Sequence, residues 1–126
     1  MPLMSTHSRN ILVVDDEDLL RKTLSRLLTH LGHTVAEARH GQEAIELLEH
    51  AEAPFHITLL DLNMPGLDST EVVPALKALD PSCRIILTSG RYDMDLVGRL
   101  KGLGAFTFLA KPFGLEDLAK AIQDCE

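Results

Sequence analysis

Five short apolar runs alternate along this chain with five stretches of helical spacing, and nothing else in the sequence limits the possible folds so much. The runs are Ile11-Leu12-Val13-Val14, Thr34-Val35-Ala36, Ile57-Thr58-Leu59-Leu60, Ile85-Ile86-Leu87-Thr88 and 105–110. The clearest of them are too uniformly apolar for strands with one wet face. They read as strands covered on both sides, as in a parallel sheet. Between them, Leu20, Leu24, Leu27, Leu28 and Leu31 mark one face of a helix over 18–31, and Gly32 is a natural stop. Segments 42–50, 93–103 and 115–122 carry the same spacing, the last through Leu115, Leu118, Ala119 and Ile122. Segment 69–79 is weaker, because Pro74 lacks an N–H, and it predicts a late start or a kink. The order βαβαβαβαβα predicts an α/β fold, doubly wound, with a five-stranded parallel sheet between two helical layers and right-handed crossovers.

At 126 residues and 13.9 kDa the chain is expected to form one domain over 10–126, with residues 1–9 as a disordered extension. No apolar run approaches the roughly 20 residues of a membrane span, and the polar start has no signal-peptide core, so a cytoplasmic location is expected. The net charge of −7 argues against a nucleic-acid surface and is compatible with a divalent cation or a basic partner. Cys83 and Cys125 form no Cys-x-x-Cys and read as two reduced thiols.

Open parallel sheets bind ligands outside the carboxyl ends of their strands. The first strand releases Asp15-Asp16-Glu17-Asp18 at that edge, the third Asp61, the fourth Thr88-Ser89-Gly90 and the fifth Lys111-Pro112-Phe113. Each has a bland reading alone. Acids opening a helix complement its macrodipole, Asp61 could cap a turn, Thr88-Ser89 could cap a helix, and Lys111 could be solvated. Together they bring carboxylates, a hydroxyl and an ammonium to one edge. Crowded carboxylates repel unless a cation joins them. Mg²⁺ takes oxygen ligands, keeps waters and suits one or two carboxylates plus phosphate. Asp16, Asp61 and a backbone carbonyl just after Asp61 would serve. Asp61 could then attack phosphorus and form an acyl phosphate, with Lys111 and the Ser89 hydroxyl covering other sides of the phosphoryl group.

The motifs "ILVVDDE", "DLNMPG", "ILTSG" and "FLAKPF" stand in an order and spacing that resembles the receiver domain of two-component response regulators, from about Asn10 to the end. The resemblance implies a flavodoxin-like strand order 2-1-3-4-5. It implies that Asp61 is the phosphoacceptor and that one Mg²⁺ is bound. Asp16 and Asp61 would be direct ligands, Asp15 would act through water, and Asn63 would lend its backbone carbonyl. Ser89, rather than Thr88, falls at the switch hydroxyl, Lys111 at the phosphate-pairing lysine, and Phe108 at the coupled aromatic. Lys111-Pro112 matches the family's cis peptide. Expected partners are a sensor histidine kinase or a histidine phosphotransfer protein as donor. A downstream protein, or a second copy, would bind the face of the fourth helix, fifth strand and fifth helix. Departures from the family pattern are Ser69, where many members carry Gly, and Pro74. Arg91 lies near the mouth of the site.

Other classes fit less well. A haloacid-dehalogenase-type phosphatase needs an acid two residues after its nucleophile, and here stands Asn63. There is no Gly-x-Gly-x-x-Gly after the first strand, no Gly-x-Ser-x-Gly elbow, and Gly32 interrupts the pair His30 and His33 as zinc ligands. The expectation is therefore a signalling domain rather than an enzyme. The alternative is a receiver-like binding module that is never phosphorylated. No output domain follows the fifth helix, so either a stand-alone regulator or a piece of a larger chain is expected.

Overall fold

The computed structural model describes residues 8–125. Its elements are β1 Asn10–Val14, α1 Asp18–His30, β2 Thr34–Ala38, α2 Gly41–Glu49, β3 Ile57–Asp61, α3 Ser69–Leu79, β4 Arg84–Ser89, α4 Met94–Gly102, β5 Thr107–Ala110 and α5 Leu115–Asp124. All strand pairs are parallel, in the order β2-β1-β3-β4-β5. The doubly wound fold expected from the alternation is the one observed. Of the expected N-terminal extension, residues 1–7 lie outside the described residues. Arg9 is tied to β2: its N–H donates to His33 Nδ1 at 3.0 Å and its carbonyl accepts from the Thr34 N–H at 2.9 Å.

Successive side chains of a strand point to opposite faces, and the core divides accordingly. Leu12, Val14, Leu60, Ile85 and Leu87 pack with Ala44, Val73, Leu76 and Leu100 from α2, α3 and α4. Ile11, Val13, Ile57, Leu59 and Ile86 pack with Leu24, Leu28, Leu118 and Ile122 from α1 and α5. The three central strands are buried on both faces. The outer strands are not: β2 and β5 are mostly half-exposed, because each has a partner on one side only. Uniform apolarity is thus a property of the sheet's centre, and the weaker run Thr34-Val35-Ala36 belongs to an edge.

Of the late start or kink expected for α3, the late start does not occur. The helix begins at Ser69 and passes through Pro74. Asp68 explains the early start, since its Oδ1 accepts hydrogen bonds from the Thr70 N–H at 3.1 Å and from Thr70 Oγ1 at 2.6 Å. Such a cap satisfies one of the orphan donors of the first turn. Buried Val73 and Leu76 hold the helix to the sheet on either side of the proline. Asp68→Ala is expected to lower stability by about 1 kcal/mol in urea titration, with an unchanged slope. An unchanged midpoint would assign the start of α3 to Val73 and Leu76 instead.

Candidate functional site

The strand order turns back between β1 and β3, which makes the crevice outside their carboxyl ends the switch point of the sheet. Val14 pairs with Leu60, so Asp15 and Asp61 are delivered side by side. Asp61 pairs with Thr88, and Ser89 with Ala110, the residue before Lys111. Register alone therefore brings the ends of four strands to one place. The Met64-Pro65-Gly66 turn carries the chain away from Asp61. Gly66 sits at φ +73°, in the left-handed region that a side chain disfavours.

Asp15 and Asp61 are buried, at 1% and 2% exposure, and Asp16 is open to solvent. One oxygen from each lies within 4.8 Å of the others, and no other cluster of three His, Cys, Asp or Glu side chains among the described residues is as close. Lys111 Nζ lies 3.2 Å from Asp15 Oδ2 and 3.2 Å from Asp61 Oδ1. The Glu17 N–H donates to Asp15 Oδ1 at 2.9 Å, and the Asn63 N–H to Asp61 Oδ1 at 3.1 Å. Asp61 Oδ2 takes no hydrogen bond from a described residue. Among the described residues no fully buried side-chain oxygen lacks a partner, so Oδ2 is the oxygen of this carboxylate left at the crevice, with only a trace of solvent contact.

Burial is the largest influence on Asp61 and raises its pKa above the usual carboxylate value; the Asn63 N–H and Lys111 pull it back, and the Asp15 charge adds to the rise. Burial would lower Lys111, but Asp61 and Asp15 outweigh it and hold the ammonium firmly charged. Three carboxylates thus face one ammonium, and the balance is negative. The donors are all oxygen, which suits a hard divalent cation and not zinc or copper.

The sequence model for the response regulator receiver domain matches residues 11–123. The chain belongs to the response regulator receiver family. The receiver is 30% identical over 116 residues to sporulation initiation phosphotransferase F of Bacillus subtilis, covering 92% of each chain. It is 33% identical to part of the sensor kinase CckA of Brucella abortus, of whose length it spans only 12%. Among solved structures it superposes on chemotaxis protein CheY4 of Vibrio cholerae with a TM-score of 0.86, at 28% identity, covering 95% of this chain and 100% of that one. A response regulator of Burkholderia pseudomallei, solved with a phosphorylated aspartic acid, a calcium ion and citrate, gives a TM-score of 0.81 at 27% identity over 93% of this chain and 72% of that one.

Asn63, Ser89 and Lys111, also singled out in the sequence, are joined at the same edge. Ser89 Oγ donates to Asn63 Oδ1 at 3.2 Å and accepts from the Arg91 N–H at 3.0 Å. The Lys111 N–H bonds the Ser89 carbonyl at 2.8 Å, and the Lys111–Pro112 peptide is cis. Phe108 is half-buried on β5. Its ring meets Tyr92 edge to face with centroids 5.1 Å apart, a contact not anticipated from the sequence. Arg21 was also missed. It is buried on α1, one turn before Leu24 and two before Leu28, and that spacing was the available signal. Of the histidines, His33 is buried and His40 accepts from the Glu43 N–H at 3.1 Å to cap α2, so both have structural uses.

A carboxylate whose folded pKa is raised costs stability while ionised, and the cost disappears as pH falls through that value. Asp61→Asn is therefore expected to raise the melting temperature of the metal-free receiver at neutral pH by a few degrees, about 1 kcal/mol. The gain should shrink as pH falls through the carboxylate range. A loss of stability at neutral pH would mean that the Lys111 ion pair outweighs burial and Asp15.

Proposed function

We propose that Asp61 is the phosphoacceptor and that it takes a phosphoryl group from the phosphohistidine of a histidine kinase or a histidine phosphotransfer protein. The observation that carries this is Asp61 Oδ2, left without a protein donor on a buried carboxylate fixed through Oδ1 by Asn63 and Lys111. An aspartate so held is a preoriented nucleophile. Its oxygen forms a bond to phosphorus as the phosphorus–nitrogen bond breaks, and the imidazole leaves with the electron pair and takes up a proton. Lys111 then pairs with a phosphoryl oxygen. The phosphorylated aspartate and calcium ion of the Burkholderia neighbour support the same reading here.

Asp16, Asp61 and the Asn63 carbonyl would hold one Mg²⁺, with Asp15 acting through water. When bound, the ion would neutralise charge on the transferring phosphoryl oxygens. Asp15 is suited to the indirect role because Glu17 and Lys111 already engage both its oxygens.

Phosphorylation adds negative charge and strong acceptor oxygens. The Ser89 hydroxyl, now spent on Asn63, would turn to the phosphoryl group. Phe108 and Tyr92 would follow, changing the face built from α4, β5 and α5. Tyr92 and Met94 are exposed beside that face and would meet a downstream protein or a second copy. The receiver acts in this reading as a cytoplasmic signalling domain whose own chemistry is limited to accepting and losing the phosphoryl group. Among the described residues no helix is long and apolar enough to cross a membrane. Because some relatives carry this domain inside much longer chains, the cognate kinase and target follow from the whole protein.

Intact mass after incubation with acetyl phosphate and Mg²⁺ is expected to rise by one phosphoryl group, and to stay unchanged in Asp61→Asn or with EDTA. A gain that persists in Asp61→Asn would move the acceptor elsewhere. In Ser89→Ala, labelling is expected to continue while beryllofluoride no longer shifts the amide resonances of α4 and β5. Parent-like shifts in that variant would remove Ser89 from the coupling.

A further inference from the structure

We infer that Arg21 is a positioning residue for the cation site: it orients Asp16 by holding the carbonyl of Asp15. The inference rests on the reading of the acidic edge as a cation site. Arg21 is 5% exposed, unusual for a side chain with a fixed charge, and its guanidinium is used on three sides. Nη1 donates to the Asp15 carbonyl at 2.8 Å, Nη2 to Asp18 Oδ1 at 2.6 Å, and Nε to Glu37 Oε1 at 3.0 Å. It thereby ties the end of β1 to the first turn of α1 and to β2.

The bond to Asp15 is the consequential one. A carbonyl oxygen shares its rigid plane with the N–H of the next residue. Fixing the Asp15 carbonyl therefore fixes the peptide that leads into Asp16. The rest of Asp15 is already held: its N–H donates to the Ala38 carbonyl at 3.1 Å, Oδ1 accepts from Glu17, and Oδ2 faces Lys111. Asp16 has no such side-chain anchor. It is exposed, yet its carboxylate lies within 4.8 Å of those of Asp15 and Asp61. The peptide before Asp16 is clamped by Arg21 and the peptide after it by the Glu17 N–H on Asp15 Oδ1, and of the two only the first is held by a side chain other than Asp15's own.

Charge and position predict opposite signs. A cation beside a metal site disfavours the metal, and Arg21 also neutralises Asp18 and Glu37. If Arg21 acted by charge, removing it would tighten Mg²⁺. If it acts by position, removing it weakens Mg²⁺, although the surroundings become more negative.

The test is an NMR titration of the full chain with Mg²⁺, in which amide dispersion also reports folding. Arg21→Met is expected to weaken Mg²⁺ by about tenfold or more, as loss of a ligand-orienting partner does elsewhere, and Arg21→Lys by less. Glu37→Gln, which disturbs the other end of the guanidinium and leaves Asp15 untouched, should stay within about twofold of the parent. Parent-like or tighter binding in Arg21→Met overturns the inference, and so does an equal weakening in Glu37→Gln. Should Arg21→Met fail to fold, Arg21→Lys decides: weaker binding supports the inference and parent-like binding overturns it. Asp16→Asn separates the two levels. If it binds Mg²⁺ as the parent does, the cation-site reading fails and the inference with it.

Discussion

Lys111 shares its ammonium between two buried carboxylates, 3.2 Å from Asp15 Oδ2 and 3.2 Å from Asp61 Oδ1, and the edge of the sheet is organised around that shortage of positive charge. Without it, Asp15 and Asp61 would be buried carboxylates with no countercharge, an arrangement proteins do not tolerate cheaply. With it they are still short of neutrality, because Asp16 adds a third carboxylate beside them. One ammonium against three carboxylates leaves a charge deficit that a divalent cation would make up. On the role proposed for Asp61, stability and function pull in opposite directions there.

The sheet makes the shortage possible. Lys111 and Asp15 are 96 residues apart in the chain, and the pairing of β1 with β3, β3 with β4 and β4 with β5 brings them together. Both faces of the central strands are filled by apolar side chains, so polar groups leave the fold only at the strand ends. There most of them have a defined partner. Backbone N–H groups of Glu17 and Asn63 hold one oxygen of each buried acid, and Ser89 waits between Asn63 and Arg91. Ser89 pairs with Ala110 of β5, the strand on which Phe108 meets Tyr92.

Much of this was legible before any coordinates. Central strands announce themselves by unbroken apolarity, since only a strand covered on both faces can carry it, and the acids after Val14 and Leu60 then fall at the edge by counting. Segments that depend on distant partners were harder to read. Pro74 looked like an obstacle because local propensity counts only its missing N–H, whereas Asp68 had already started the helix and the packing of Val73 and Leu76 carried it through. Arg21 went unmarked, because a sequence does not show that Asp18, Glu37 and the Asp15 carbonyl will surround it. Tyr92 stood in a loop with no periodicity to mark it.

By itself, then, the sequence determined the alternation of strands and helices, the apolar core, and which residue types reach the carboxyl edge. These follow from local spacing and from the cost of leaving apolar groups in water. Only the tertiary structure decided that Asp61 presents Oδ2 and not Oδ1, that Asp15 is saturated while Asp16 stays open, that Ser89 rests on Asn63, and that a buried guanidinium secures the loop between them. Those choices depend on distances and directions between groups far apart in the chain, set when the strands come into register and the helices close over them.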